Sequence, residues 1–109
     1  MAGAQFAEFD EGDFDARVLQ RRGVTVVDFW AEWCAPCRQM ARILGELAAE
    51  LPSEVVIGKV DADRNRALVD RYGVRGIPAL LIFKDGTLVD ARTGVDRKQV
   101  LKKAIETHV

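Results

Sequence analysis

Only two of the 109 residues are cysteine, three are proline and one is histidine. A small domain stapled by disulfides carries more cysteines at wide spacing, so a hydrophobic core must hold this chain. Structural zinc takes four Cys or His ligands. Besides the two cysteines only His108 is of that type, and no metal site is expected. No apolar run approaches the roughly 20 residues of a membrane-spanning helix. Neither sign of charge predominates: Lys plus Arg is 16, Asp plus Glu is 17, and the net charge is -1. That leaves no electrostatic footprint for nucleic acid or an anionic membrane. The N-terminus has no basic segment followed by an apolar one, and it is acidic rather than Arg-rich. Neither a secretory signal nor an organelle transit peptide is expected, and the location read from this is cytoplasmic. There is no internal repeat, low-complexity tract or linker.

What is present is apolar content. At 49% hydrophobic the chain is not intrinsically disordered, and it is long enough for one core in one domain over residues 1–109. Gln5 to Phe9 is a weak strand candidate. Asp13 to Arg22 reads as a short helix with Phe14, Val18 and Leu19 on one face and Gly23 as its stop. Val24 to Trp30 is β-branched, aromatic and almost continuously apolar, which suits a central strand covered on both faces. A helix follows from Pro36 to about Leu51, with Met40, Ile43, Leu44, Leu47 and Leu51 at helical spacing. Val55 to Val60 is a second buried strand. Asp63 is placed to cap a helix running to Tyr72, with Gly73 as its stop. Ala79 to Phe83 and Thr87 to Val89 flank Lys84-Asp85-Gly86, a hairpin signal. Asp96 is placed to cap a last helix carrying Val100, Leu101, Ala104 and Ile105. The order β-α-β-α-β-α-β-β-α predicts an α/β fold with a mixed sheet and helices on both faces. Its central strands are expected to join in a right-handed crossover.

The two cysteines stand three positions apart, as Cys34-Ala35-Pro36-Cys37. A bridge between them closes almost no loop and constrains the unfolded chain little, so stability does not explain the pair. The strand ending at Trp30 puts Cys34 at or just before a helix N-terminus, where free N–H groups and the helix dipole favour negative charge. A thiol there ionises more readily, and the thiolate is what attacks a disulfide. Pro36 fits the first helical turn, where a missing N–H costs nothing. Cys37 lies one step inward and is expected to be less exposed. The pair divides the labour: Cys34 attacks a client disulfide, and Cys37 resolves the mixed disulfide in an effectively intramolecular step. No histidine stands between the cysteines to stabilise the thiolate further, which favours a reducing couple. Zinc half-site and inert buried thiols are the competing readings of the pair. Zinc lacks the further ligands it needs, and inert thiols do not explain a Pro-containing pair that opens a helix after a buried strand.

Asp28 interrupts the apolar strand, where burying a carboxylate is costly. It reads either as a proton acceptor and donor for Cys37, its pKa raised by desolvation, or as a solvated or ion-paired carboxylate with Lys59 as partner. Pro78 opens the third strand run. Most X–Pro bonds are trans, so the residues alone predict a trans bond. Trp33 reads as an exposed aromatic on the loop before Cys34, and Trp30 as core.

The segment Asp28-Phe29-Trp30-Ala31-Glu32-Trp33-Cys34-Ala35-Pro36-Cys37-Arg38 resembles the active-site segment of the thioredoxin family. The likeness continues through Lys59-Val60-Asp61, Tyr72 to Pro78, Phe83 to Gly86 and Gly94, nearly the whole chain in order. It implies the thioredoxin fold, a mixed five-stranded sheet flanked by two helices on each face. It also implies Cys34 as nucleophile, Cys37 as resolving thiol, and Asp28 as the buried acid and base with Lys59 beside it. Pro78 becomes a cis-proline facing the cysteines. Trp33, Ala35, Pro36, Gly76, Ile77, Pro78 and Gly94 would form a shallow apolar surface for substrate, with the backbone of Ile77 free to pair with an extended client segment. Three departures stand out. Ala35 replaces the commoner Gly, Arg42 stands where many relatives have a helix-kinking Pro, and Thr93 and Val95 flank Gly94 where small apolar residues are usual.

The expected activity is that of a protein-disulfide reductase, a cytoplasmic electron carrier for disulfide-containing clients. No cofactor is expected to be bound, and electrons would come from NADPH through a flavoprotein reductase. A monomer is expected. The alternative is a binding subunit of the same fold in which the thiols are dispensable; an intact cysteine pair with Asp28 and Pro78 is more than such a scaffold needs.

Overall fold

Val24–Trp30 is the central strand of the sheet, and every residue from Val24 to Phe29 is buried. In the computed structural model, which describes residues 3–109, the strands are β1 (Gln5–Glu8), β2 (Val24–Trp30), β3 (Val56–Asp61), β4 (Ala79–Lys84) and β5 (Thr87–Thr93). Their order across the five-stranded sheet is β1-β3-β2-β4-β5. β3 runs parallel to both β1 and β2, whereas β4 is antiparallel to β2 and β5. A central strand walled by neighbours on both edges must be apolar on both faces, and the composition of β2 meets that condition everywhere but at Thr25 and Asp28.

The helices are α1 (Ala35–Ala48), α2 (Arg66–Arg71) and α3 (Lys98–Glu106), with a π-helical turn at Asp15–Leu19. Side-chain alternation along β2 and β4 divides the core in two. Val24, Val26, Leu80 and Ile82 meet Met40, Leu44 and Leu47 of α1 and Leu101 and Ile105 of α3. Val27, Phe29, Leu81 and Phe83 meet Phe14, which precedes the π-helical turn, Val18 within it and Leu68 of α2. Two helical segments therefore cover each face, as the family resemblance implies. Glu50, just beyond α1, binds Lys98 and Lys102 of α3 at 2.8 and 3.0 Å.

Several local expectations need correction. The segment Asp13 to Arg22 does not form a regular α-helix. The Gln20 N–H donates to the Asp15 carbonyl at 3.0 Å, the wider spacing of a π turn. That spacing keeps Phe14 and Val18, four positions apart, on one buried face. Asp63 and Asp96 do not cap helices: α2 starts after Asn65 and α3 after Arg97, neither with a side-chain cap. Asp96 binds Arg92 instead, at 3.3 Å. β5 runs on to Thr93 because its partner β4 continues alongside it, although Asp90 and Arg92 break the apolar pattern. The Ile77–Pro78 bond is cis, against the trans bond read from the residues and in line with the family resemblance. Gly23 and Gly73 end their helical segments with φ of 88° and 62°. Asp85 and Gly86 turn the β4–β5 hairpin with positive φ at both positions, the twist that a two-residue hairpin favours.

Candidate active site

Every parallel strand ends at the same edge of the sheet, and the cysteine segment leaves from the end of β2. Cys34 is the N-cap residue of α1, in extended conformation, and its sulfur accepts the Cys37 N–H at 3.2 Å. An N-cap side chain accepts from a free N–H of the first turn; here sulfur takes the place usually held by oxygen. Pro36 sits in that first turn, where no helical hydrogen bond is lost. Cys34 and Cys37 are joined as a disulfide with Cα atoms 5.2 Å apart. Both residues are buried, so exposure does not separate them as the sequence reading expected. Ala35 and Pro36 between them are exposed.

Three other segments close on this pair. Ile77 packs against the cluster of Ala31, Cys34 and Cys37, and its carbonyl oxygen lies 3.8 Å from the Cys34 Sγ. The Gly94 N–H donates to the Pro78 carbonyl at 2.8 Å, which ties the end of β5 to the start of β4. Gly76 lies close to Thr93. Trp33 is 70% exposed, yet its indole Nε1 donates to Asp63 Oδ2 at 2.9 Å. Arg38 donates to the Glu32 carbonyl at 2.9 Å, fixing the loop before Cys34 from the other side. These two contacts are not legible in the sequence. The local pattern makes Asp63 a helix cap, and nothing in its spacing links it to a residue thirty positions away.

Asp28 is 1% exposed, and neither carboxylate oxygen has a hydrogen-bond partner. By alternation with Val24 and Val26 it points to the face under α1. Burial raises its pKa from 3.8 to about 7, opposed by the positive charge of Lys59. Lys59 is its register partner on β3, but the ammonium lies over the Trp30 ring, 4.5 Å from the centroid. The solvated and ion-paired readings of Asp28 are therefore corrected. It is a buried, unpaired acid beside a half-buried cation. A cleft of 220 Å³ between Trp30, Glu32, Cys37, Arg38, Ala41 and Lys59 opens this side of the disulfide to solvent. Among the described residues no group of His, Cys, Asp and Glu could hold a metal ion, and no helix is long and apolar enough to cross a membrane.

Comparison with known proteins agrees with this geometry. The family model for thioredoxin matches residues 5–107. The chain is 43% identical over 102 residues to a thioredoxin of Rhodospirillum rubrum, covering 94% of this chain and 98% of that one. It is 36% identical over 109 residues to thioredoxin 2 of Chlorobaculum tepidum, covering 100% of this chain and 99% of that one. Among solved structures it is similar to a mutant thioredoxin from Halobacterium salinarum, with a TM-score of 0.86 and 31% identity over 99% of this chain and 94% of that one.

Proposed function

The chain belongs to the thioredoxin family, and from that premise we propose how its residues divide the work of a thiol-disulfide oxidoreductase. In the reduced protein the Cys34 thiolate attacks one sulfur of a client disulfide. That bond breaks, a Cys34–client disulfide forms, and the displaced client sulfur takes up a proton. Asp28, with Lys59 as its register partner on β3, then accepts the proton of Cys37. The Cys37 thiolate attacks the Cys34 sulfur, the second client thiol leaves, and the Cys34–Cys37 disulfide remains. Two electrons have passed from the cysteine pair to the client.

The observation that carries this reading is the Cys34 sulfur acting as cap acceptor of α1. The N–H that points at sulfur in the disulfide would stabilise the thiolate when the bond is open. Trp33, Ala35, Pro36, Gly76, Ile77, Pro78 and Gly94 form the client surface, with the Ile77 backbone pairing with an extended client segment. Electrons return from NADPH through a flavoprotein thioredoxin reductase, with no cofactor bound to the chain. It works as a cytoplasmic, single-domain monomer. A subunit role with dispensable thiols is not favoured, since it leaves the buried acid Asp28, in the strand that leads to the cysteines, without a purpose.

Insulin-disulfide reduction driven by dithiothreitol tests the assignment. Cys34→Ser is expected to abolish the rate above the dithiothreitol background, and Cys37→Ser to trap a mixed disulfide visible by mass. An unchanged rate for Cys34→Ser overturns the mechanism.

A further inference from the structure

Asp28, Trp30 and Lys59 share the face of the sheet under α1, by alternation with Val26 on β2 and Ile57 on β3. Lys59 is the register partner of Asp28, so its ammonium is within reach of the carboxyl. It does not bind there. Lys59 joins no ion pair among the described residues, and its ammonium stands over the Trp30 ring, 4.5 Å from the centroid. Both Asp28 oxygens are left without a hydrogen-bond partner. The other charges on this side are exposed or engaged. Glu32 and Arg38 line the cleft with Trp30, Cys37 and Lys59 and are exposed, and Arg38 donates to the Glu32 carbonyl at 2.9 Å. Asp61, the register partner of Trp30, accepts the Asp63 N–H at 3.0 Å and lies 3.9 Å from the Arg64 guanidinium. β4 sets Leu80 against Asp28, and α3 turns Leu101 and Ile105 to this layer of the core. Lys59 is thus the charge that opposes the effect of burial on Asp28. Packing alone does not account for an indole beside it. The Trp30 Nε1 is buried without a hydrogen-bond partner, a cost that an all-carbon side chain avoids. What an indole adds is the aromatic face that attracts a cation most strongly.

We propose that Trp30 is a positioning residue acting through Lys59: its ring holds the ammonium beside the Asp28 carboxyl rather than on it, and so keeps that carboxyl able both to take up and to give back a proton. The proposal rests on the reading that Asp28 accepts the Cys37 proton. The step it serves moves one proton from the Cys37 thiol to the Asp28 carboxylate, leaving a thiolate and a neutral acid. An opposite charge in contact with a carboxylate lowers its titration by about one to three pH units. With Lys59 docked on it, Asp28 would stay ionised and make a poor acceptor, since a useful acid and base titrates near the working pH. With the ammonium gone, burial alone would hold the proton more tightly. The Trp30 ring fixes the charge between these limits.

The test follows the protonated Asp28 carbonyl by difference infrared spectroscopy against Asp28→Asn, in the oxidised protein, where neither cysteine titrates. Trp30→Leu is expected to lower the titration midpoint by about one pH unit, because Lys59 is released onto the carboxylate. Trp30→Phe keeps a ring face and is expected to stay closer to wild type than to Trp30→Leu. A ring also excludes water, so the same substitutions are compared in Lys59→Met protein, where Trp30→Leu is expected to move the midpoint far less. An unmoved midpoint in Trp30→Leu, or an equal fall with and without Lys59, overturns the proposal. A purely structural Trp30 would lower stability to urea without a shift that depends on Lys59. Insulin reduction against pH, each variant divided by its Asp28→Asn counterpart, separates the proposal from the reading it rests on. If the rise in rate moves down in pH with the midpoint, both stand. If the midpoint moves and the rate profile does not, the control of Asp28 by Trp30 stands and Asp28 as acceptor of the Cys37 proton falls.

Discussion

Asp28 carries a cost that depends on pH. Its carboxyl titrates at about 7 in the fold against 3.8 when free, because burial disfavours the charge. Well below pH 3.8 the group is protonated in both states and makes no difference. Between the two values only the unfolded chain releases the proton, so stability falls as pH rises, and the loss is complete above the folded value. At about 1.4 kcal/mol per tenfold in proton affinity, the loss is about 4 kcal/mol. Asp28→Asn removes the titration. In urea unfolding of the oxidised protein, the stability of the variant relative to wild type is expected to rise by about 4 kcal/mol from about pH 4 to about pH 8. A difference that stays flat with pH removes the assignment. The same substitution is expected to slow insulin reduction by about a hundredfold above about pH 7, where the carboxylate is ionised and can accept the Cys37 proton, and by less as pH falls below that value. The oddness of a carboxylate in this strand is legible from its neighbours. That it has no partner is not, because the Lys59 side chain rests on the Trp30 ring, and a sequence does not say where a flexible ammonium comes to lie.

At the scale of elements, the sheet edge holding β1 is packed through a missing side chain. Gly58 of β3 lies directly under the Phe9 ring, and a Cβ there would overlap the ring carbons. Phe9 in turn meets Phe14 edge-on at a centroid distance of 6.3 Å. Gly58→Ala is therefore expected to destabilise by about 1–3 kcal/mol through overpacking, measured by urea denaturation, with insulin reduction retained. Helix α3 docks on α1 through Leu101 and Ile105, both at 0% exposure. Leu101→Ala is expected to cost about 2–5 kcal/mol. A loss below about 1 kcal/mol in the same assay would mean that α3 is not docked as described. The helical periods of α1 and α3 and the continuous apolar run of β2 are legible because each repeats over many residues. The π turn and the start of α2 are not. Both are short, and the pull of Phe14 and Leu68 into the core outweighs local signals such as the cap expected at Asp63.

The molecule as a whole has two apolar layers that share β2 and β4. Neither layer can come apart without exposing strands that support the other, and a domain of this size unfolds in one step. Circular dichroism and tryptophan fluorescence are expected to give coincident urea transitions. Separate midpoints would mean that one face melts independently. The same architecture assembles the candidate active site from four crossings of one end of the sheet: the end of β2 at Cys34, the end of β3 near Asp63, the start of β4 at Pro78 and the end of β5 at Gly94. Chain direction explains why these meet. Parallel β2 and β3 end together, and antiparallel β4 begins where they end.

Amino-acid order alone was enough for the cysteine pair at a helix start, the strand and helix sequence, and most of the buried set, since each is written in spacing over a few turns or a few strand residues. The family likeness of the segments around Asp28, Cys34, Pro78 and Gly94 supplied the sheet and the cis bond. Tertiary structure decided the rest. The indole of Trp33 is held by Asp63, Asp28 is buried with no partner among the described residues, and Arg66 and Arg75 line a groove bounded by Trp33 and Ile77. All three depend on groups far apart in the chain being brought together, with water excluded from some and left beside others. Burial and long-range proximity are properties of the packed molecule, and no local pattern encodes them.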